Sequence, residues 1–268
     1  MPTVVVYILT DDPECNAVKA LNKLFNSDIF LIKTVTQKLP QNQITSKYSE
    51  ERKIHMEESY RVSWCLKDSL HKHKDDFLII VKDTSVTHAS AKTIDGIVRK
   101  IVESGNTSSG KFHLCYLCKW MDRCDIYSDR KEINGRSTIL AKTQAPHGIQ
   151  ALLVSPHGRD ILLGERTMKN GKAIVAGLFE RENMSPVLTE FILKGYIDAT
   201  CVVPNLFDFD ISKAVRNSDY LKTIECLPPP INKTGEAITA SGRMSSFVVL
   251  FLLIILIALG LFMLVGRS

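Results

Sequence analysis

The stretch FLIIVKDTSVTH, residues 77–88, decides the fold. Its first five residues are apolar, and a run of this length bounded by polar residues predicts a buried strand. Charged and hydroxyl side chains follow at once, in the order Lys82, Asp83, Thr84, Ser85. In a parallel α/β sheet, ligands lie beyond the carboxyl ends of the strands. The stretch therefore predicts one strand of such a sheet and a candidate nucleotide-binding turn directly after it.

Similar apolar runs alternate with helical patterns along residues 1–226. We expect strands at 3–9, 29–35, 77–81, 111–117, 148–156 and 199–207. We expect helices at 11–25, 49–76, 90–103, 157–165 and 187–197. The inner faces of the first three helices are predicted to hold Val18, Leu21, Leu24, Ile54, Val62, Cys65, Leu66, Leu70, Ile94, Ile97, Val98 and Ile101. This order predicts an α/β domain with a mostly parallel, twisted sheet and helices on both faces.

The end of the chain has a different character. Residues 247–265, FVVLFLLIILIALGLFMLV, contain no charged side chain. As a helix they would span roughly 28 Å, which is close to the hydrocarbon thickness of a bilayer. We therefore expect Phe247 to Val265 to be a transmembrane helix that anchors the protein by its tail. The proline-rich stretch 227–246 is predicted to be a flexible linker, and residues 1–226 the folded domain.

The charges that flank the apolar stretch predict its orientation. Lys233 and Arg243 precede it and only Arg267 follows, so the positive-inside rule places the large domain in the cytosol. The start of the chain lacks the basic region of a signal peptide. Sequons at Asn106 and Asn232 are then expected to stay unglycosylated. The net charge of +5 is spread along the chain, so we expect no nucleic-acid partner.

Seven cysteines at irregular spacing suggest free thiols, as is usual in the cytosol. Cys115 and Cys118, with Cys124 nearby, could hold zinc. The alternative is that they lie on a strand and point to opposite faces, because side chains alternate along a strand.

Two turns carry candidate site residues, namely Thr10-Asp11-Asp12 after the first strand and Lys82 to Ser85 after the third. A carboxylate at either turn could hold a divalent metal that bridges a pyrophosphate. Alternatively, Asp11 and Asp12 cap the first helix, and Asp83, Thr84 and Ser85 shape a turn.

The order of segments over most of residues 1–210 resembles the family 25 glycosyltransferases. This group contains bacterial lipooligosaccharide galactosyltransferases and the collagen galactosyltransferase domain, with similar proteins in large DNA viruses. VVVYILTDD looks like the family's opening strand, and FLIIVKDTS looks like the strand that ends in its acidic turn. In EESYRVSWCLKDSL, Glu58 matches the family's helix Glu, and Ser63-Trp64 replaces its Ser-His pair. HGIQALLVSPHGRDILL resembles a later strand and helix through Ser155-Pro156, and VLTEFI has Glu190 where the family has an Asp.

The resemblance implies a GT-A, Rossmann-like fold and a site for a UDP-sugar with Mn²⁺ or Mg²⁺. Thr10 and Asp11 would contact the nucleotide, and Lys82, Asp83 and Ser85 would surround the phosphates. Asp83 would be the metal ligand, and Glu190 the general base. Of the three acids in the family's turn only the central one has a counterpart here, since Lys82 stands where the first acid would be.

These observations lead to two hypotheses. The first is a tail-anchored protein with a non-catalytic glycosyltransferase-like domain, which serves as a structural or scaffolding component and binds protein partners in a capsid or membrane assembly, such as the inner membrane of a virion. The second is a membrane-tethered glycosyltransferase that uses a UDP-sugar.

Overall fold

The computed structural model describes residues 3–40, 48–106, 112–135, 137–215 and 217–227. Residues 1–226 form one compact unit with its own core. The predicted membrane helix at 247–265, and all of the predicted linker except Leu227, lie outside the described residues. Among the described residues, no helix combines the length and the apolar character needed to cross a membrane.

Ten strands and six helices alternate in the described part of this unit. The strands are β1 Val4–Leu9, β2 Phe30–Val35, β3 Phe77–Lys82, β4 Ser85–Val86, β5 Leu114–Trp120, β6 Ser128–Glu132, β7 Ile139–Lys142, β8 His147–Val154, β9 Ala199–Val203 and β10 Asp208–Phe209. The helices are α1 Asn16–Leu24, α2 Glu50–Lys72, α3 Ala91–Asn106, α4 Pro156–Leu162, α5 Leu178–Arg181 and α6 Met184–Leu193.

Eight of the strands form one sheet in the order β2-β1-β3-β8-β5-β9-β7-β6. β8 and β7 run opposite to the other six, so the sheet is mixed but mostly parallel in direction. The expected α/β architecture is thus confirmed. The predicted fifth strand enters in the antiparallel sense between β3 and β5. β4 and β10 form a separate two-stranded sheet.

Both faces of the sheet are buried, as the unbroken apolar strands predict. Along β1, Val5, Tyr7 and Leu9 belong to one core with side chains of α2, α4 and α6. Val4, Val6 and Ile8 belong to a second core with α1 and α3. The predicted inner face of α3, Ile94, Ile97, Val98 and Ile101, is fully enclosed there.

Two details of the helices differ from the prediction. Ile54, expected inside, is 41% exposed, whereas the polar side chains of Ser59, Arg61 and Ser63 are buried. The inner face of α2 is therefore partly polar. In addition, α1 begins at Asn16, after a Cys15 N-cap that forms no side-chain hydrogen bond, so the expected capping by Asp11 or Asp12 is wrong. Instead, the Asp12 carboxylate accepts a hydrogen bond from Glu14 N within the preceding turn.

The cysteine predictions also need correction. Cys124 and Cys226 form a disulfide across 102 residues of sequence, so the expectation of free thiols fails for these two. Cys115 and Cys118 lie in the same core because a register shift follows Tyr116 and breaks the alternation along β5. Burial raises the pKa of the Cys115 thiol to about 12, which keeps it protonated at neutral pH.

Candidate functional site

The carboxyl ends of β1 and β3 lie side by side and bring the two predicted turns together. The strands pair in parallel, with Leu9 opposite Lys82. Asp83 N donates a hydrogen bond to the Leu9 carbonyl at 3.0 Å. The buried Thr10 hydroxyl donates to the Asp83 carboxylate at 2.6 Å. Asp83 is thereby held at the edge of the sheet where a parallel fold binds its ligands.

Lys82 faces α2 rather than open solvent. Its ammonium lies 2.8 Å from the Glu58 carboxylate, and both side chains are mostly buried. Burial on its own would raise the pKa of Glu58, but the charge of Lys82 and hydrogen bonds from His55 and Lys82 hold that pKa well below its usual range. Glu58 is therefore ionised, and Lys82 and Glu58 neutralise each other.

Arg61, one turn further along α2, is the second cation beside these two turns. Its guanidinium contacts Asp11 at 2.5 Å and Glu57 at 2.7 Å. Burial tends to lower the pKa of Arg61, but these hydrogen bonds raise it above its ordinary value. The Arg61 Nε is buried and has no hydrogen-bond partner among the described residues.

These side chains surround a cleft of about 240 Å³ with Leu9 and Ile54 as apolar contacts. Its charged lining consists of Asp11, Glu57, Glu58, Asp83, Arg61 and Lys82. Carboxylates thus outnumber cations by four to two. A phosphate ligand would meet net negative charge unless a cation entered with it.

A larger cleft of about 980 Å³ lies on the other side of Asp83 and Thr84. It runs between α1, the β3–β4 turn and residues 210–213. Ser85 borders it, but the Ser85 hydroxyl is engaged by Gln150, which donates its amide to Ser85 at 3.0 Å and to Thr84 at 2.7 Å. The charged side chains in its lining are also mainly acidic, namely Asp11, Asp12, Glu14, Asp83, Asp210 and Lys213.

The structure brings four of the predicted site residues to one place, Thr10, Asp11, Lys82 and Asp83, with Ser85 on the adjoining turn. Glu190 lies elsewhere. It is exposed on α6, forms an ion pair with Lys194 and lines neither cleft. Its role as a general base stays a prediction.

Sequence reasoning missed Arg61 and Gln150. The spacing of Glu57 and Arg61, four residues apart on one helix face, is typical of an ion pair and was the available signal for Arg61. Gln150 gave no local signal, because it is a polar residue within an apolar strand.

A short segment, residues 217–226, crosses the carboxyl end of β5, and we call it the C-terminal strap. Met121 N donates to the Ile224 carbonyl, and Asp122 N to the Glu225 carbonyl. The fully buried Lys119 pairs with Glu225 at 2.6 Å, and Cys226 is bonded to Cys124. The strap therefore covers the carboxyl end of β5.

Within the described ranges, no three His, Cys, Asp or Glu side chains converge as metal ligands. The Cys115–Cys118 pair is therefore not joined by a third such ligand in that part of the chain.

Comparisons with known proteins give little to set beside this geometry. No protein-family model matches the chain, and no curated protein matches it. Among solved structures, the chain is similar to A197 from STIV. The two are 9% identical, the match covers 77% of this chain and 83% of that one, and the TM-score is 0.37. Such a likeness says nothing about activity.

Proposed function

We propose that this chain is a tail-anchored membrane protein whose glycosyltransferase-like, GT-A-type domain is non-catalytic and serves as a structural or scaffolding component. One observation carries the proposal. The groups that would have to engage a nucleotide sugar are engaged with each other: Lys82 with Glu58, Asp83 with Thr10 and Asp11 with Arg61.

The energetics of these pairs support this. To bind a diphosphate, Lys82 would have to leave Glu58 and strand an ionised, partly buried carboxylate beside the incoming negative charge. Removing one partner of a buried ion pair costs about 3–5 kcal/mol, and a quarter of the Glu58 side chain remains exposed, so the cost here is toward or below the lower value. A phosphate ligand would have to overcome that cost in an acidic cleft.

A membrane-tethered glycosyltransferase is the second candidate, and one observation favours it. Glu58 and Asp83, the residues that match the family's helix Glu and acidic turn, line the same cleft at the carboxyl edge. In this case Mn²⁺ or Mg²⁺ would enter with the UDP-sugar, supply the missing positive charge at Asp83 and stabilise the leaving diphosphate. Lys82 would turn from Glu58 toward the phosphates.

Calorimetry separates the two candidates. The fragment 1–226 is titrated with UDP, UDP-glucose and UDP-galactose, with and without Mn²⁺. The structural proposal predicts no heat of binding at millimolar ligand. Micromolar, metal-dependent binding that disappears in Asp83→Ala would overturn it and support the enzyme. Asp75→Ala, an exposed carboxylate at the opposite end of β3, is the matched control and should behave as the unmutated fragment does.

The membrane anchor needs its own test. The full chain should resist extraction with alkaline carbonate, whereas a chain without 247–265 should be released. Extraction of both forms would contradict the anchor.

The side of the membrane on which the domain lies is a separate point. The basic residues before the apolar stretch favour the cytosol, but the Cys124–Cys226 disulfide is typical of an oxidising compartment. A loss of apparent mass on treatment of the expressed protein with a glycosidase, abolished in Asn232→Gln, would place the domain outside the cytosol. We expect no change in mass.

A further inference from the structure

Exposed apolar side chains concentrate in one short part of the domain. Of the ten large apolar side chains that are exposed among the described residues, five lie within residues 211–224. We use the name outer apolar face for these five exposed residues, Ile211, Val215, Tyr220, Leu221 and Ile224. Val215 is 90% exposed and Tyr220 58%. Two short 3₁₀ turns, 211–213 and 217–223, pack against each other and carry most of these residues.

The carboxylates of the same segment point the other way. Asp219 is only 3% exposed, accepts a hydrogen bond from Val215 N and pairs with Lys222 at 2.8 Å. Glu225 reaches inward to the fully buried Lys119. The segment thus exposes apolar groups and withdraws acids, which reverses the usual arrangement of a surface facing water.

We propose that the outer apolar face docks on a lipid bilayer, with its side chains in the interfacial region. The inference goes beyond the proposed function but rests on its membrane anchor. From Cys226 the chain has only residues 227–246 before the apolar stretch begins at Phe247. Twenty residues reach at most about 70 Å when fully extended, so in a chain anchored by 247–265 this face cannot move further than roughly that distance from its own membrane. At such a high effective concentration, weak interfacial binding suffices.

The side chains match this occupant. Tyr220 suits the headgroup level, where tyrosine is enriched, and the isoleucine, leucine and valine side chains suit the acyl boundary. Lys213 is exposed beside them and can contact lipid phosphates. Because Asp219 and Glu225 are turned inward, they do not repel an anionic leaflet.

The test uses the fragment 1–226, which is a compact unit and lacks the anchor. Its co-sedimentation is measured with vesicles of phosphatidylcholine containing one quarter phosphatidylserine. We expect the fragment to bind at millimolar lipid and the double variant Val215→Ser/Leu221→Ser to bind at least about tenfold more weakly, given the transfer free energy of two such side chains. The matched control, Leu31→Ser/Val175→Ser, alters the same two residue types at exposed positions elsewhere and should leave binding unchanged. Circular dichroism checks that all variants are folded.

Absence of vesicle binding by the unmutated fragment overturns the proposal, as does equal weakening by the control pair. If Val215→Ser/Leu221→Ser instead disperses a dimer of the fragment while vesicles bind nothing, a second copy of the chain covers the face. Failure of the anchor is distinguishable, because the full chain would then be extracted by carbonate while the fragment still binds vesicles. If the full chain stays in the membrane and the fragment does not bind, the docking face alone is wrong.

Discussion

The two ends of the central sheet use charged side chains differently. At the carboxyl end, Lys82 pairs with Glu58 and Arg61 with Glu57 around clefts that solvent can enter. At the amino end, Arg159 and His113 are buried and bound to backbone atoms. The pairs at the carboxyl end border solvent-filled clefts, whereas the buried groups at the amino end hold backbone segments together. We therefore expect substitutions at the amino end to lower stability more than substitutions at the carboxyl end do.

The largest effect is expected at Arg159. Its fully buried guanidinium donates to the His73 carbonyl at 2.8 Å and to the Lys74 carbonyl at 2.5 Å, which ties α4 to the end of α2. Arg159→Met removes the guanidinium donor from the Lys74 carbonyl, from the His73 carbonyl and from Asp160, although His73 keeps a bond from Asp76 N and Asp160 one from Arg166. We expect a loss of about 3–5 kcal/mol in unfolding free energy by urea denaturation. Arg166→Met removes an exposed partner of the same Asp160 and should change stability by less than about 1 kcal/mol. Similar losses in both variants would show that the backbone contacts of Arg159 contribute little.

A comparable loss is expected where α4 meets β5. A Cβ at Gly158 would lie 2.0 Å from the His113 carbonyl oxygen, a backbone atom that cannot move aside alone. Gly158→Ala should therefore destabilise the domain by about 3 kcal/mol through overpacking. Gly96, within α3, has open space around it, and Gly96→Ala should stabilise by about 0.5–1 kcal/mol. The two melting temperatures should thus shift in opposite directions, and a fall in both would contradict the packing argument.

The next largest loss of stability is expected at low pH, and it arises from His113 at the amino end of the sheet. Burial lowers the pKa of His113 to about 4, although Asp198 opposes the shift, and the His113 Nδ1 accepts a hydrogen bond from Asp198 N. A histidine in the unfolded chain has its ordinary pKa of about 6.5, so below that pH the unfolded chain binds more protons. Stability should then fall as pH drops from 6.5 toward 4, and His113 alone should contribute a loss of about 2 kcal/mol by pH 5.

Urea unfolding at pH 7 and pH 5 measures this effect, with His113→Gln expected to flatten the dependence. His88→Gln, at an exposed position, is the control and should leave the slope unchanged. An equal slope in the unmutated chain and in His113→Gln would refute the assignment.

The smallest effect is expected at the carboxyl end. A double-mutant cycle with Glu58→Gln and Lys82→Met should give a coupling free energy of about 1–2 kcal/mol, since a quarter of the Glu58 side chain remains exposed to solvent. The pKa of Glu58 is held low by this pairing, so its stabilising contribution is present above the ordinary carboxyl pKa and is lost in acid. A coupling near zero would mean that Glu58 does not hold Lys82. Lys82 could then turn to a phosphate at little cost, which would weaken the case for a non-catalytic domain.

The contrast between the two ends also explains what the sequence could predict. Strands such as β1 and β3 are apolar on both faces, so composition alone located them and the turns that follow. The inner face of α2 was mispredicted at Ile54 because periodicity assumes an apolar interior, whereas this helix turns Arg61 and Glu58 toward the candidate site. Strand β6, SDRKE, is exposed throughout and carries no apolar signal.

Contacts between residues that are far apart in the sequence could not be predicted, for a different reason. Residues such as Lys119 and Glu225, or Arg159 and the His73 carbonyl, are separated by many elements, and no local pattern marks them as partners. The disulfide between Cys124 and Cys226 belongs to the same class. With seven cysteines at irregular spacing, the pairing depends on where the strap crosses β5, which only the folded chain shows.

That disulfide has a mechanical consequence. Any pull on the chain beyond residue 227 reaches Cys226 first and passes through a covalent bond to Cys124, just after β5 in the middle of the sheet. The strap's hydrogen bonds are thus shielded from the load, and tension enters the domain at the turn that follows β5 rather than through the strap. With the bond reduced, the same force would first peel residues 217–226 from the sheet.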